Sequence, residues 1–211
     1  PVPLVYGMTP GETARFLQRQ LNLKLDLQVC LMMGYRREAA RGNWGPWISP
    51  SPGIRYWETA WTYPITVITE ALTALECGRG GTEPFQVIAA PWIAPERLAR
   101  ELNRRRLPGL RAVPLWSRQP GVRLQVDRPD ALRPFAAAVH LVDALHKLYG
   151  AERVWSGPGT RPEWFDKLMG TDAVRTALLG GVPPRRIVEQ QTPESRAFRR
   201  LRAAALLYRR G

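Results

Sequence analysis

The sequence predicts an α+β (or mixed α/β) fold, with a mixed sheet flanked by helices and a helical C-terminal third. Three observations support this. Strand-like apolar stretches come early and interleave with helical ones, whereas helical stretches gather late, the order expected of segregated layers. Apolar residues make up 45% of the 211-residue chain and charged residues 23%, the balance of an ordinary globular protein with a real core. Twenty prolines and eighteen glycines are scattered without a period, so they act as punctuation in a loop-rich chain.

In chain order, "YGMTPGETARFLQRQLNL" opens a helix, with Thr9 as N-cap, Pro10 at the first helical position and Glu12 completing a capping box. "LDLQVCLM" alternates apolar and polar residues and predicts a strand, and Cys30, inside the apolar stretch "LQVCLMM", is expected to be a buried thiol. Residues 37–64 read as a long irregular loop rich in proline, with Trp44, Trp47, Tyr56, Trp57, Trp61 and Tyr63. Disordered linkers lack tryptophan, so a loop of this composition is expected to be functional. "ITVITEALTAL" fits a strand or a helix; a Gly-rich turn and the strand "FQVIAAPW" follow. "APERLARELNRRRL" predicts a helix with Leu98 and Leu102 at i, i+4, and "LRAVPLW" and "VRLQVD" predict strands joined through "SRQPG". Three helical stretches close the chain, the last capped by Thr192, Pro193 and Ser195. The expected division is an α/β part over 1–120, holding the aromatic loop 37–64, and a mainly helical part over 121–211, the two forming either separate domains or one.

The formal charge of +13 creates a field that attracts polyanions such as nucleic acid, anionic lipid or acidic wall polymer. It comes almost wholly from arginine, since only Lys24, Lys147 and Lys167 are lysines. No helix-turn-helix, zinc-finger or aromatic ribonucleoprotein pattern accompanies it, which disfavours nucleic acid. Two cysteines, Cys30 and Cys77, cannot make a disulfide scaffold or a four-ligand zinc site. His140 and His146, six apart on a helix, fall on different faces, so neither a metal nor another cofactor is expected. No apolar run reaches the ~18–20 residues of a membrane span. The start at Pro1 reads as a processed chain or a fragment and leaves export open.

Six ordered stretches together resemble one family: "YGMTPGE" at 6–12, "PWISPSPGIRYWETAWTYP" at 46–64, "GRGGTEPFQVIAAPWI" at 78–93, "GVRLQVDRPDALRP" at 121–134, "FDKLMGTDAVRTAL" at 165–178 and "FRRLRAAALLY" at 198–208. They are similar to the C-terminal half of the NamZ-type exo-β-N-acetylmuramidases. The resemblance implies peptidoglycan turnover, with removal of N-acetylmuramic acid from the non-reducing end of a glycan, and a muropeptide or cell-wall glycan as partner. It implies a cell-envelope or periplasmic setting, with the cytoplasm also open. The family's catalytic glutamates are expected in an N-terminal half, so no catalytic residue is assigned here.

Glu70 and Glu76 are the tempting acid pair, because glycosidases need two carboxyl groups roughly 5–10 Å apart. Geometry opposes them. On a helix they point ~240° apart around the axis; on a strand they lie ~20 Å apart. Only a tight turn would join them. The family pattern, roughly "FEGTN-x-SEGRGTT-x-PFE", becomes "TEALTALECGRGGTEPFQ" here. Ala71 stands for a glycine, Thr73 for an asparagine and Gln86 for a glutamate, with one residue inserted around Glu76 and Cys77. Arg79 is kept; it could hold the lactyl carboxylate of muramic acid, or pair with Glu70 and pin the turn. Trp47 offers a flat face for sugar stacking, and Glu58 fits either a binding or a surface role.

Two readings follow. The chain supplies one wall of a peptidoglycan glycosidase, partnered by a separate N-terminal half; or it is a noncatalytic envelope component with a degenerate sugar site, using its basic surface on wall polymer or another protein.

Overall fold

The computed structural model describes residues 2–37 and 46–208, so Trp44 and part of the expected aromatic loop lie outside the described residues. The elements are α1 (Pro10–Gln20), α2 (Trp57–Thr66), a 3-10 helix (Val67–Ala71), β1 (Val87–Ala89), α3 (Pro95–Arg104), β2 (Leu110–Leu115), β3 (Gly121–Val126), α4 (Pro134–Tyr149), α5 (Ala151–Trp155), α6 (Pro162–Met169), α7 (Ala173–Leu179), α8 (Pro184–Gln190) and α9 (Thr192–Ala203). The class is α+β, as the sequence predicts.

The chain divides into two compact units, Trp47–Gln190 on one side and Pro1–Pro46 with Gln191–Gly211 on the other. This is not the division expected at residue 120. The sheet itself crosses that point, because β3 lies between β1 and β2 and bonds to both.

In the larger unit both ladders are antiparallel, with Ile88 opposite Val122 and Ala112 opposite Leu124. α3 connects β1 to β2 and packs on the sheet through Leu98, Ala99 and Leu102, the i, i+4 stripe read from the sequence. α4 is the apolar centre: Ala138, Val139, Val142, Ala144 and Leu145 are all fully buried, as are Ile65, Ile68, Ile88, Val122 and Phe165 of the elements around it. The "RPEWFDKLMGTDAVRTALLGG" stretch splits into α6 and α7 because Gly170 takes a left-handed conformation after Met169 and ends the first.

α2 occupies ground expected to be loop. Pro64 within it and its β-branched and aromatic residues give little helix propensity, so burial decides the matter. Thr59, Thr62, Thr66 and Thr69 form one buried stripe, and the last three satisfy their hydroxyls on backbone: Thr62 donates to the Glu58 carbonyl (2.9 Å), Thr66 to that of Phe85 (2.8 Å) and Thr69 to that of Thr66 (2.7 Å).

In the smaller unit α1 begins as the sequence predicts. The Thr9 hydroxyl accepts from the Glu12 N–H (3.3 Å), and the Glu12 carboxylate accepts from the Thr9 N–H (2.8 Å). Phe16 and Phe198 meet edge to face at 5.4 Å, with Ala205 completing a small apolar cluster. Two expectations fail here. Residues 25–32 pair with nothing in a ladder and form no strand among the described residues, so the Cys30 thiol is exposed and not buried. The N-cap of α9 is Gln191, with no side-chain cap bond; Thr192 already lies inside the helix.

Candidate functional site

The conspicuous motif of the larger unit is the turn that follows the 3-10 helix. Its backbone is set by Gly78, at φ +76°, where a Cβ would sit 2.4 Å from the Glu83 carbonyl oxygen. Only glycine fits there. The turn closes through the Phe85 N–H, which donates to the Cys77 carbonyl at 2.7 Å, and Arg123 anchors its far side on Glu83 at 2.8 Å. Arg79 is thereby held outward, with 72% of its side chain exposed.

Its guanidinium donates to the Glu70 carboxylate at 2.8 Å, so the pairing offered as one of the two sequence readings forms. Tyr63 lies close by. Burial first and the Glu70 charge second push its phenol above the usual range, and Arg79 opposes them. The Tyr63 ring packs edge-on against Phe85 at 4.8 Å. Cys77 faces inward: burial, then the Glu70 charge, raises its thiol, which favours an inert group.

Glu76 does not join this cluster. It sits in an antiparallel bridge with Ala89, between buried Leu75 and buried Cys77, so extended backbone turns its exposed side chain to the opposite side. Glu58 is also exposed, in the first turn of α2, where a carboxylate complements the helix dipole. Trp47 begins a row of indoles, 4.4 Å from Trp57, which lies 6.3 Å from Trp61 in a stacked arrangement one helical turn on. The turn and its surroundings therefore present an exposed cation, an engaged carboxylate and a phenol, and the indoles of Trp47, Trp57 and Trp61 form a separate half-buried row.

The departures from the family pattern make contacts within the chain, Ala71 and Gln86 buried and Thr73 at the surface. Ala71 is fully buried, and its carbonyl accepts from the Arg161 N–H at 3.0 Å. Gln86 is buried and donates to the Thr59 hydroxyl at 3.2 Å. Thr73 donates to the Pro158 carbonyl at 2.8 Å and contacts the Thr160 hydroxyl at 3.0 Å. The threonine stripe that receives Gln86 was missed from sequence, although its spacing of three and four residues inside an apolar stretch was the available signal.

Both histidines are engaged elsewhere. The Trp155 indole N–H donates to His146 Nε2 at 2.8 Å, and Arg105 lies 3.4 Å from His140 Nδ1 while donating to the His140 backbone carbonyl at 2.8 Å. Among the described residues no cluster of His, Cys, Asp and Glu could hold a metal, and no helix is long and apolar enough to cross a membrane.

Comparison with known proteins decides the family. The model for the C-terminal domain of exo-β-N-acetylmuramidase NamZ matches residues 61–208, and the model for its N-terminal domain matches residues 1–58. The chain belongs to the NamZ family. It carries sequence from both domains, which corrects the expectation of a C-terminal half alone. The peptidoglycan β-N-acetylmuramidase NamZ of Bacillus subtilis is 30% identical over 99% of this chain, which spans 52% of that protein. A DUF1343 family protein of Bacteroides fragilis is similar in structure over 99% of this chain and 58% of its own, with a TM-score of 0.83 and 26% identity. A second from the same organism matches at a TM-score of 0.70 and 24% identity, again over 58% of its length, and shows the fold alone. This chain thus spans between half and three-fifths of each of these relatives.

Proposed function

We propose that this chain forms a ligand-contacting wall of a peptidoglycan exo-β-N-acetylmuramidase-like glycoside hydrolase and does not cleave glycosidic bonds by itself. One observation carries the reading: Glu70 is engaged by Arg79, and Glu76, on the exposed side of a bridge whose neighbours Leu75 and Cys77 are buried, makes no hydrogen bond or ion pair with that group among the described residues, which supports a motif without two cooperating carboxyls. Arg79 is the candidate for the lactyl carboxylate of N-acetylmuramic acid, a planar anion that a guanidinium binds through two parallel hydrogen bonds. Its exposure leaves the donors not engaged with Glu70 open to such a ligand. Trp47 and its neighbouring indoles would stack on sugar faces, and Glu58 lies at the exposed start of the same helix. The setting is the cell envelope, with a muropeptide or wall glycan as ligand.

The test compares N-acetylmuramic acid with N-acetylglucosamine, which lacks the lactyl group, by NMR titration of the purified chain and of Arg79→Ala. The expected result is a preference for the acidic sugar that Arg79→Ala abolishes, with no release of muramic acid from a chromogenic muramide. Turnover by the chain, or equal binding of the two sugars, would overturn the reading.

A second reading, a noncatalytic envelope component whose sugar site is degenerate, is favoured by the way Ala71, Thr73 and Gln86 are committed to internal contacts. It is distinguished by binding of neither sugar.

A further inference from the structure

We propose that Tyr63 is a second ligand contact beside Arg79, its phenol donating a hydrogen bond to the carboxylate that the Arg79 guanidinium holds. The inference rests on the carboxylate-binding role proposed for Arg79 and adds the residue that would sharpen its selectivity.

The Tyr63 hydroxyl makes no hydrogen bond among the described residues, although the side chain is half-buried. Its neighbours on the same segment are treated differently: Thr62, Thr66 and Thr69 all have their hydroxyls satisfied on backbone. The partner of the phenol is therefore water or a ligand.

The ring, by contrast, is firmly held. It packs edge-on against Phe85 at 4.8 Å, and Phe85 is buried with φ at +59°. Left-handed backbone is unfavourable for a bulky aromatic residue and persists only where the surroundings over-determine it. Three contacts do so. The Phe85 N–H donates to the Cys77 carbonyl at 2.7 Å, and its carbonyl accepts from the Thr66 hydroxyl at 2.8 Å. Its ring lies against Gly53, where a Cβ would stand 3.3 Å from the ring edge. The Tyr63 backbone is fixed too, its carbonyl accepting from the Val67 N–H at the end of α2. A donor held in this way loses little conformational freedom when it takes an acceptor, so more of its hydrogen bond appears as affinity.

The same contacts place the phenol. The last turn of α2 carries Tyr63 and runs directly into the 3-10 helix that carries Glu70. Phe85, against the Tyr63 ring, is bonded to Cys77, two residues before Arg79. Tyr63 is thus tied on one side to the segment of Glu70 and on the other to the turn of Arg79, and its phenol feels both charges. The ion pair itself engages one oxygen of Glu70 and Nη1 of Arg79, which leaves Nη2 and Nε of the guanidinium without a protein partner among the described residues. Burial raises the phenol above its usual range, so it remains a proton donor at neutral pH. A ligand carboxylate has two oxygens to place, and the cluster offers a charged donor for one and a neutral donor for the other. A neutral sugar lacks the group that would use both.

The test uses the purified chain and Tyr63→Phe, which removes one oxygen and leaves the ring packing in place. N-acetylmuramic acid and N-acetylglucosamine are titrated by NMR, with the Tyr63 ring protons as the local probe. In the native chain these resonances should shift with the acidic sugar and stay in place with the neutral one. Tyr63→Phe should weaken binding of the acidic sugar about tenfold, the scale of one hydrogen bond to a charged group, and leave that of N-acetylglucosamine as it was. The urea midpoint should not move, because the hydroxyl has no protein partner to lose. Four results would overturn the inference while sparing Arg79: a preference for the acidic sugar that Tyr63→Phe keeps in full, ring protons that ignore that sugar, equal weakening of both sugars, or a lowered midpoint that makes the hydroxyl structural. A native chain with no preference for the acidic sugar would instead remove the Arg79 reading and this inference with it.

Discussion

The two compact units are held by opposite means. The larger is organised around a continuous apolar core, with α4 buried along most of its length and the three-stranded sheet and α3 packed beside it. Among the described residues the smaller has only Phe16, Phe198 and Ala205 buried together, with Met8 against them. What replaces a core there is a charge. The Glu12 carboxylate is wholly inaccessible, ion-paired with Arg37, and accepts from the N–H groups of Thr9 and Leu207 at 2.8 Å each. Arg202, on α9, donates to the Gly7 carbonyl at 2.7 Å. A small unit that cannot bury enough apolar surface can still be specified by a polar hub, provided each lone pair is met. Such a hub loses stability abruptly when one partner goes, whereas a large core loses it in proportion to volume.

The largest effect is expected in the apolar core, at Phe165. It is fully buried and meets the Trp155 ring edge-on at 5.1 Å. Phe165→Ala should lower the stability of the larger unit by about 3–5 kcal/mol in urea unfolding. A loss below ~1.5 kcal/mol would mean that the core collapses around the cavity and is softer than its packing implies.

Glu12→Gln probes the polar hub of the other unit. The substitution turns an acceptor of several hydrogen bonds into a group that must aim an NH2 at backbone N–H donors. On the order of 3 kcal/mol should be lost, read as faster exchange of α1 and α9 amides with those of α4 unchanged. The same residue makes the smaller unit acid-sensitive. Burial alone would raise the Glu12 carboxyl; the Arg37 hydrogen bond, the two backbone donors and the Arg37 charge outweigh it and bring it from 4.5 down to about 2. A carboxyl lowered by folding stabilises fully above its unfolded value, and the contribution drains away as pH falls from about 4.5 toward 2. The smaller unit should therefore open in that window in the native chain, and Glu12→Gln should flatten the dependence. An equally steep acid transition in the variant would show that other carboxylates govern it.

What the sequence revealed divides along the same line. α1, α3, α4 and the strands β1 to β3 were legible because period and capping chemistry are local, and Thr9, Leu98 and Leu102 do what their spacing says. α2 was hidden because Pro64 and its threonines argue locally against a helix, and only burial of the threonine stripe overrides that preference. Residues 25–32 show the converse: the alternation argues locally for a strand, yet no ladder forms there among the described residues, because a strand needs a paired edge that local pattern does not supply. At the candidate site, the Glu70–Arg79 contact could be named from sequence as one of two alternatives, but Tyr63 beside it could not, since nothing in their spacing joins residues from α2 and the turn. Glu12 was read only as a cap. Its role as a buried hub depends on Arg37 and Leu207, far away along the chain.

A smaller effect is expected at His146. Burial lowers its ring below the usual range, against the charge of Asp143 and a hydrogen bond with the Leu178 backbone. The Trp155 N–H requires Nε2 to stay unprotonated. A histidine lowered by folding stabilises fully above the ordinary 6.5, and that contribution declines as pH falls below it. Between pH 7 and 5 the larger unit should lose about 1 kcal/mol, the scale of one hydrogen bond, with a change in Trp155 emission. His146→Asn should remove the slope, and a slope that persists would place the titrating group elsewhere.

The smallest effect should come from Arg79. Its pair with Glu70 is short, but an exposed guanidinium gains little from a partner that water and salt can replace. The turn is already fixed without it, by the glycine conformation at Gly78, by the Phe85–Cys77 backbone bond and by Arg123 on Glu83. Arg79→Ala should therefore change stability by less than ~0.5 kcal/mol. That near-zero value is informative because it separates two roles that geometry alone leaves equal. If Arg79 pins the turn, its loss should register in unfolding and in exchange of amides 78–85. If it is held outward for a ligand carboxylate, stability should stay level while recognition of the acidic sugar disappears. A loss above ~1.5 kcal/mol would make the arginine part of the scaffold and remove the main support for a carboxylate-binding wall.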